Sequence, residues 1–237
     1  MKLKNIDAIL FDSGRVLNVS RSGHWFIGPK FFDYVNDVTF KTLHPKRVKE
    51  AFDKGGAYIH TISLIETQEE ELQYFQKFYE LFAAALPELE LSEADILGLA
   101  YDLVYNSAKY VFFEDGLQRV PELAKRYELA IVSDAWPSLE SVYQEAGLRH
   151  YFKSFMISSQ LGVVKPDPKM YQLALDELGI DGSRAIFVDD NLKNCMGAKA
   201  LGIKPVLLCR DKRLYMLEKI KSVGKGYEVI YSLTQLR

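Results

Sequence analysis

The stretch A-I-L-F-D-S-G, residues 8–14, decides the fold. A short apolar run that ends at a polar residue and a glycine is typical of a buried parallel strand whose carboxyl end opens into a loop. In open α/β sheets, ligands bind just beyond these carboxyl ends. Asp12 is therefore predicted to place a carboxylate at the edge of the sheet where chemistry usually occurs.

Further apolar runs of the same kind predict a parallel sheet around residues 6–11. They are residues 129–132, 155–157, 185–188 and 205–208, with 228–231 as a predicted edge strand. Helical patterns separate most of these runs, at residues 138–146, 169–178 and 192–201, and a glycine follows near the end of each. Strands that alternate with helices indicate βαβ units and an α/β fold.

Residues 20–110 interrupt this alternation and are predicted to form helices without strands. The predicted helices are 29–40, 45–53, a long one after Thr67 and one after Ser92. Thr67 and Ser92 each precede an acidic residue by three positions, which is the pattern of a capping box. Leu72, Phe75, Phe78, Tyr79 and Phe82 form one apolar stripe on the long helix, which predicts core packing. We therefore expect an α/β core, residues 1–19 and 111–237, with a helical insert at 20–110.

Composition favours a small-molecule partner. The 237 residues carry a net charge of -2, which gives no broad positive field for nucleic acid or an anionic membrane. Asp7 interrupts the first apolar run before a signal peptide could form, and no run approaches the roughly 20 apolar residues of a membrane span. We expect a cytoplasmic protein. The widely spaced Cys195 and Cys209 predict buried or half-buried thiols, and the sequence leaves the oligomeric state open.

The ends of four predicted strands, or the segments just after them, carry distinct polar groups. They are Asp12, then Ser133 with Asp134, then Lys165 in G-V-V-K-P-D-P, and finally Asp189 with Asp190 in I-F-V-D-D-N. Taken singly, each fits a structural role such as a helix cap or a solvated charge. Because the carboxyl ends of parallel strands meet at one edge, together they predict a single polar site.

This set of motifs resembles the haloacid dehalogenase (HAD) superfamily, whose members are mostly phosphatases with an aspartate nucleophile. The most specific segments are V-D-D-N-L-K-N-C-M-G-A-K-A-L-G-I, residues 188–203, and K-P-D-P-K-M-Y, residues 165–171. The resemblance covers nearly the whole chain. It implies a Rossmannoid three-layer core with a parallel sheet, and it makes the helical insert the cap of that superfamily's first subclass.

The resemblance also implies an Mg²⁺-dependent phosphatase that acts on a small phosphorylated metabolite, with a role for each polar group. Asp12 is the nucleophile, the metal ligands are Asp12, the Gly14 carbonyl and Asp190 with Asp189 close by, and the phosphate contacts are Ser133, Asp134 and Lys165. The chemistry needs these types of residue, because a carboxylate repels a phosphate dianion until a cation neutralises both. Mg²⁺ prefers oxygen ligands such as carboxylates.

The first motif, D-S-G-R-V at residues 12–16, departs from the superfamily's usual D-x-D-G-T. In that pattern the second aspartate protonates the leaving oxygen and later activates water, but here Gly14 holds its position. Gly14 still offers a carbonyl to a metal, yet it cannot transfer a proton. Its loss matters least for an acidic leaving group, and D-x-G-x-V variants resemble sugar-1-phosphate phosphatases.

Two residues near this motif have open roles. His24, in the aromatic stretch H-W-F-I-G-P-K-F-F, is either a substitute proton donor or a packing histidine. Arg15 either binds phosphate through its two-pronged guanidinium or pairs with an acid elsewhere.

Two other functions stay open at the level of sequence. A 2-haloacid dehalogenase would use the same aspartate on carbon without a metal. Asp189 and Asp190 oppose this reading because they would repel the carboxylate of a haloacid. A HAD-fold binding or regulatory protein that has lost catalysis is the second alternative, and Gly14 is the reason to consider it.

Overall fold

A computed structural model describes residue 1 and residues 3–237, and these form two compact units. The first unit contains residues 1–19, 112–135 and 143–237, and the second contains 20–111 and 136–142. Residues 136–142, which were predicted to belong to the α/β core, thus group with the second unit. The assignment of the units as catalytic core and cap stays a prediction.

The first unit is built on a six-stranded sheet in the order β5-β4-β1-β6-β7-β8, with every pairing parallel. The strands in chain order are β1 (Ala8–Phe11), β2 (Asn18–Ser20), β3 (Tyr110–Phe112), β4 (Glu128–Ser133), β5 (Ser154–Ile157), β6 (Ala185–Asp189), β7 (Lys204–Leu208) and β8 (Glu228–Ile230). The predicted α/β fold class is confirmed, and β8 lies at an edge as expected. The short strands β2 and β3, which form a separate two-stranded sheet, were not predicted.

Eleven α-helices accompany these strands in the described residues. They are α1 (Phe31–Tyr34), α2 (Asp37–Thr42), α3 (Pro45–Ile59), α4 (Gln68–Ala85), α5 (Glu93–Tyr105), α6 (Glu114–Leu123), α7 (Ser138–Glu145), α8 (Ser158–Leu161), α9 (Pro168–Leu178), α10 (Leu192–Lys199) and α11 (Lys212–Lys221). The prediction of one helix over 29–40 is wrong, because Asn36 is extended and its side chain caps α2. Among the described residues no helix has both the length and the apolar character needed to cross a membrane.

The register of the sheet positions the polar residues. Phe11 of β1 lies opposite Ile131 of β4 and Val188 of β6. One residue further along, Asp12 is therefore level with Asp189, and Ser133 lies one position beyond it on the other side. This register is held by the pattern of burial, because β1 and β6 are buried throughout their length and apolar apart from Asp189.

Helix α9 covers one face of the sheet. Met170, Tyr171 and Leu175 from this helix pack with Leu10 and Phe187 from the central strands. The Tyr171 hydroxyl donates to the Asn194 carbonyl at 2.9 Å, so this buried tyrosine has a packing role. Gly179 ends the helix in a left-handed conformation, in agreement with its predicted capping role.

The second unit has its own apolar core between α3, α4 and α5. The stripe on α4 supplies fully buried Phe75, Phe78, Tyr79 and Phe82, and Leu72 packs at its margin. Thr67 and Ser92 both form the predicted capping boxes. The interpretation of the stripe as core packing is confirmed.

Candidate active site

The carboxylate of Asp12 receives a convergent set of hydrogen bonds just past the end of β1. Oδ1 accepts from the Ser13 backbone N–H at 2.7 Å and from the Ser133 hydroxyl at 3.2 Å, and it lies 2.7 Å from Lys165 Nζ. Oδ2 accepts no hydrogen bond from any residue that the structure describes. The two oxygens therefore differ: one is fixed by donors, and the other is available for chemistry.

Lys165 bridges two carboxylates. Its ammonium lies 2.7 Å from Asp12 Oδ1 and 3.0 Å from Asp189 Oδ2, and its side chain is only 2% exposed. Burial opposes a charge on this amine, but the adjacent Asp12 and Asp189 carboxylates outweigh it and hold the pKa of Lys165 above its ordinary value. Lys165 is thus a permanent buried cation beside the candidate nucleophile.

For the pKa of Asp12, the effect of burial outweighs that of the neighbouring charges. Desolvation and, to a smaller extent, the neighbouring Asp189 raise the pKa of Asp12 to about 7, although Lys165 acts to lower it. A nucleophilic carboxylate must be anionic, and a divalent cation next to it favours the anion. The electrostatics of Asp12 thus call for further positive charge at this position.

Three carboxylates meet at this edge of the sheet. Single oxygens of Asp12, Asp189 and Asp190 all lie within 4.8 Å of one another. Asp189 is fully buried and already accepts from Lys165, from Asn194 Nδ2 at 3.1 Å and from the Asn191 N–H at 2.7 Å. The side chain of Asp190 is 25% exposed. Asp189 therefore holds Lys165 in place, while Asp190 has the more accessible oxygens.

The loop after Asp12 makes a tight turn. The Ser13 carbonyl accepts from the Leu17 and Asn18 N–H groups at 2.8 and 3.1 Å, and the Arg15 N–H donates to the Asn18 carbonyl at 2.6 Å. Arg15 has φ +61°, the left-handed region that costs a side-chain-bearing residue about 1–2 kcal/mol. Its side chain, 68% exposed, lies 3.2 Å from Asp190 through Nε. Of its two possible roles, the structure shows Arg15 paired with an acid.

The segment that carries Lys165 is anchored on both sides. Asp134 accepts the Lys165 backbone N–H at 2.9 Å, and α9 begins shortly afterwards at Pro168. A Cβ on Gly197 of α10 would lie 2.4 Å from Cβ of Pro166, so only glycine permits this close approach. Asp134 lies four residues before α7, which begins at Ser138, and its side chain supports the backbone of Lys165.

His24 belongs to the second unit, where its ring stacks on Phe52 with centroids 4.4 Å apart. Its Nδ1 accepts the Phe26 N–H at 3.3 Å, and burial lowers the pKa of its imidazole. These contacts describe a neutral packing histidine. Its role as a proton donor stays a prediction.

Two supporting residues were missed at the level of sequence. Asn194 follows Asp189 by five positions and donates to it from the first turn of α10. Because Asp189 ends β6 and only Asn194 lies on the helix, helical periodicity does not signal this contact. Arg210 binds the loop after Asp12 from the far end of β7, and no local pattern signals this contact. Cys195 is buried and Cys209 half-buried, and both are free thiols as expected.

The fold and this arrangement of residues point to the HAD class of proteins. The family model described as haloacid dehalogenase-like hydrolase matches residues 27–202, and the chain belongs to this family.

Similar proteins include both phosphatases and dehalogenases. The chain is 29% identical over 136 residues to phosphoserine phosphatase of Thermus thermophilus, covering 56% of this chain and 55% of that protein. It is 39% identical over 96 residues to (S)-2-haloacid dehalogenase of Pseudomonas sp. strain YL, covering 40% and 41% of the two chains. Thus the aligned part spans about half the length, or less, of these curated relatives.

Solved structures share the fold over most of its length. The HAD phosphatase from Thermococcus onnurineus superposes with a TM-score of 0.59 at 20% identity, covering 94% of this chain and all of that one. At this identity the similarity shows the fold alone.

Proposed function

We propose that this protein is an Mg²⁺-dependent phosphatase that hydrolyses a small phosphorylated metabolite through an aspartyl-phosphate on Asp12. The single observation that carries the proposal is the placement of Lys165 between Asp12 and Asp189, with Asp190 beside them. A buried cation and surplus carboxylates around one nucleophile suit phosphoryl transfer, in which charge must be balanced at every step.

In the first step Asp12 Oδ2 attacks phosphorus and the alcohol oxygen leaves with the bonding electrons. The Ser13 N–H, which donates to Oδ1, keeps the carboxylate oriented during attack. Lys165 and the Ser133 hydroxyl are the groups that bind the equatorial phosphoryl oxygens. In the second step water attacks the phosphorus of the aspartyl-phosphate, which returns the Asp12 carboxylate and releases inorganic phosphate.

The acidic cluster fits a magnesium ion. Asp12, Asp190 and the Gly14 carbonyl would hold it, with Asp189 in support, and all of these are the oxygen donors that Mg²⁺ prefers. When bound, the ion would neutralise the repulsion between the carboxylate and the phosphate. It would also stabilise the anionic form of Asp12, whose pKa is raised by burial.

Gly14 narrows the class of substrate that we propose. The residue after Ser13 carries no side chain to protonate the leaving oxygen, and general acid–base catalysis is worth about 10²–10⁴ in rate. Esters whose leaving group departs with little protonation lose least, and a phosphate on the anomeric carbon of a sugar is of this kind. We therefore place sugar-1-phosphates ahead of simple alcohol phosphates.

The test is a panel of sugar, amino-acid and nucleotide phosphates with Mg²⁺, assayed for release of inorganic phosphate. Wild type is compared with Asp12→Asn and with Asp190→Asn. We expect Asp12→Asn to lose all measurable turnover and Asp190→Asn to need much more Mg²⁺. Equal turnover by wild type and Asp12→Asn would refute the nucleophile.

A 2-haloacid dehalogenase is the second candidate, and the 39% identity to the Pseudomonas dehalogenase over 96 residues favours it. Asp12 Oδ2 would then attack carbon and displace halide. Against this reading, Asp189 and Asp190 add negative charge where the substrate carboxylate would have to bind. Chloride release from 2-chloropropionate in the presence of EDTA, with no phosphatase activity on the panel, would establish the second candidate in place of the first.

A further inference from the structure

Arg210 forms two hydrogen bonds to the loop that follows Asp12. From just beyond the end of β7, its Nη2 donates to the Val16 carbonyl at 2.6 Å and its Nε to the Arg15 carbonyl at 3.3 Å. One guanidinium thus binds two consecutive carbonyls of the first motif. These carbonyls directly follow Gly14 in the same turn, so fixing their orientation also restrains the backbone at Gly14.

The guanidinium is itself held on its other sides. Asp115 forms a two-pronged pair with it, Nη2 to Oδ1 at 3.0 Å and Nη1 to Oδ2 at 3.2 Å. The Phe113 ring lies under the guanidinium carbon, 3.7 Å from its centroid. Asp115 also accepts from the Ser232 hydroxyl and the Leu233 N–H near the carboxyl terminus. A planar, rigid fork is needed to satisfy all of these partners at once, and lysine does not supply one.

The turn needs these hydrogen bonds from Arg210 because it contains Arg15 in a left-handed conformation. A non-glycine residue stays in this region only when its surroundings fix it there. The turn's own hydrogen bonds fix the N–H groups of Arg15, Leu17 and Asn18. The Arg210 contacts fix the carbonyls of Arg15 and Val16, which those bonds leave without a partner in the described turn.

We infer that Arg210 is a positioning residue for the reaction, acting through the turn at residues 13–18 rather than on the substrate. It holds the carbonyls of Arg15 and Val16, and through them restrains the adjoining peptide of Gly14, so that the Gly14 carbonyl and Asp12 keep their places relative to each other. The inference rests on the proposed function for its catalytic readout. Its effect on the turn is independent of which substrate the protein hydrolyses.

The experiment compares wild type with Arg210→Ala and Arg210→Lys. We measure amide hydrogen exchange of residues 13–18 without metal, Mg²⁺ affinity by titration calorimetry, and kcat and KM on the best ester of the panel. In Arg210→Ala we expect exchange in the turn and the Mg²⁺ Kd each to rise at least about tenfold, the effect of losing a charged hydrogen bond. We expect kcat to fall while KM changes little. Arg210→Lys should lie much closer to Arg210→Ala than to wild type.

Added guanidinium ion, at concentrations that do not denature wild type, should partly restore Mg²⁺ affinity to Arg210→Ala but not to Arg210→Lys. The matched control is Arg184→Ala, which removes an arginine paired with Asp7 at the opposite end of β6 and should leave all of these values unchanged. Arg210→Lys keeps the charge and the aliphatic stem, so it serves if Arg210→Ala does not fold.

Unchanged exchange of the turn and unchanged Mg²⁺ affinity in both variants would overturn the inference. If wild type hydrolyses no ester but Arg210→Ala still loosens the turn and weakens Mg²⁺ binding, the proposed phosphatase function fails and the role of Arg210 stands.

Discussion

The close contact of Gly197 with Pro166 gives a sharp test of how Lys165 is placed. A Cβ at position 197 would lie 2.4 Å from Pro166 Cβ, 3.2 Å from its Cα and 3.0 Å from its carbonyl oxygen. Ordinary contact begins near 3.4 Å, so the two segments must separate by about 1 Å. Two of the three atoms belong to backbone and the third to a rigid ring, so no side-chain rotation relieves the clash.

The free energy of the Gly197→Ala change follows from two opposing effects. Overpacking of a dense site costs about 1–3 kcal/mol, whereas alanine improves helix propensity by about 1 kcal/mol. We therefore expect a net loss of stability of up to about 2 kcal/mol. Chemical denaturation measures it. Gly56→Ala is the matched control, because Gly56 lies inside α3 with open space around its missing Cβ and should gain about 0.5–1 kcal/mol.

The consequence for activity should exceed the consequence for stability. Lys165 precedes Pro166, and a shift of about 1 Å breaks its contacts of 2.7 and 3.0 Å with Asp12 and Asp189. Misplacement on this scale costs on the order of 10²-fold in rate. Phosphate release at saturating substrate measures this loss. A Gly197→Ala protein that is stabilised like Gly56→Ala, or that keeps wild-type kcat, would refute the reasoning.

Three further changes have defined outcomes. Gly14→Asp restores the carboxyl group of the usual motif, and turnover of a simple alkyl phosphate should rise by up to about 10²–10⁴ if the missing acid limits it; no rise in the phosphate-release assay would show that it does not. Burial lowers the pKa of Lys109 to about 8, so its contribution to the unfolding free energy is present at high pH and is lost as pH falls through 8. Urea denaturation from pH 7.5 to 9.5 should show a positive slope in wild type that Lys109→Met lacks, and the same slope in both would contradict the assignment. Thr67→Ala removes the cap of α4 and should cost about 0.5–2 kcal/mol by denaturation, whereas an unchanged midpoint would show that the capping box contributes nothing.

Local sequence patterns predicted the parts of the fold that depend on local physics. The strand 8–11 is apolar on both faces and is followed directly by Asp12, and the capping boxes at Thr67 and Ser92 need only residues three positions apart. The polar residues at the carboxyl ends were also predictable, because parallel pairing alone brings Asp12 level with Asp189. Periodicity could not show the break at Asn36, since the apolar spacing continues on both sides of it.

Contacts between distant segments were beyond the reach of sequence. The roles of Asp134 and Arg15 depend on which partner the folded chain brings near, and residue type alone allows several. Arg210 lies 195 positions from Arg15, and nothing around either residue signals their contact. Positive φ at Arg15 is likewise a product of the turn as a whole, because arginine by itself disfavours it.

The unequal hydrogen bonding of Asp12 has an isotopic consequence. A free carboxylate has two interchangeable oxygens, but here a half-turn of the side chain would break every contact to Oδ1. The protein thus keeps the two oxygens of Asp12 in different surroundings, so they are no longer equivalent. When water attacks phosphorus, its oxygen leaves in the phosphate and both aspartate oxygens persist. In the dehalogenase reaction, water would attack the side-chain carbonyl carbon of the ester formed on Asp12. Its oxygen would then stay in the Asp12 carboxyl group. The mass of Asp12 after turnover in heavy-oxygen water would therefore distinguish the two reactions.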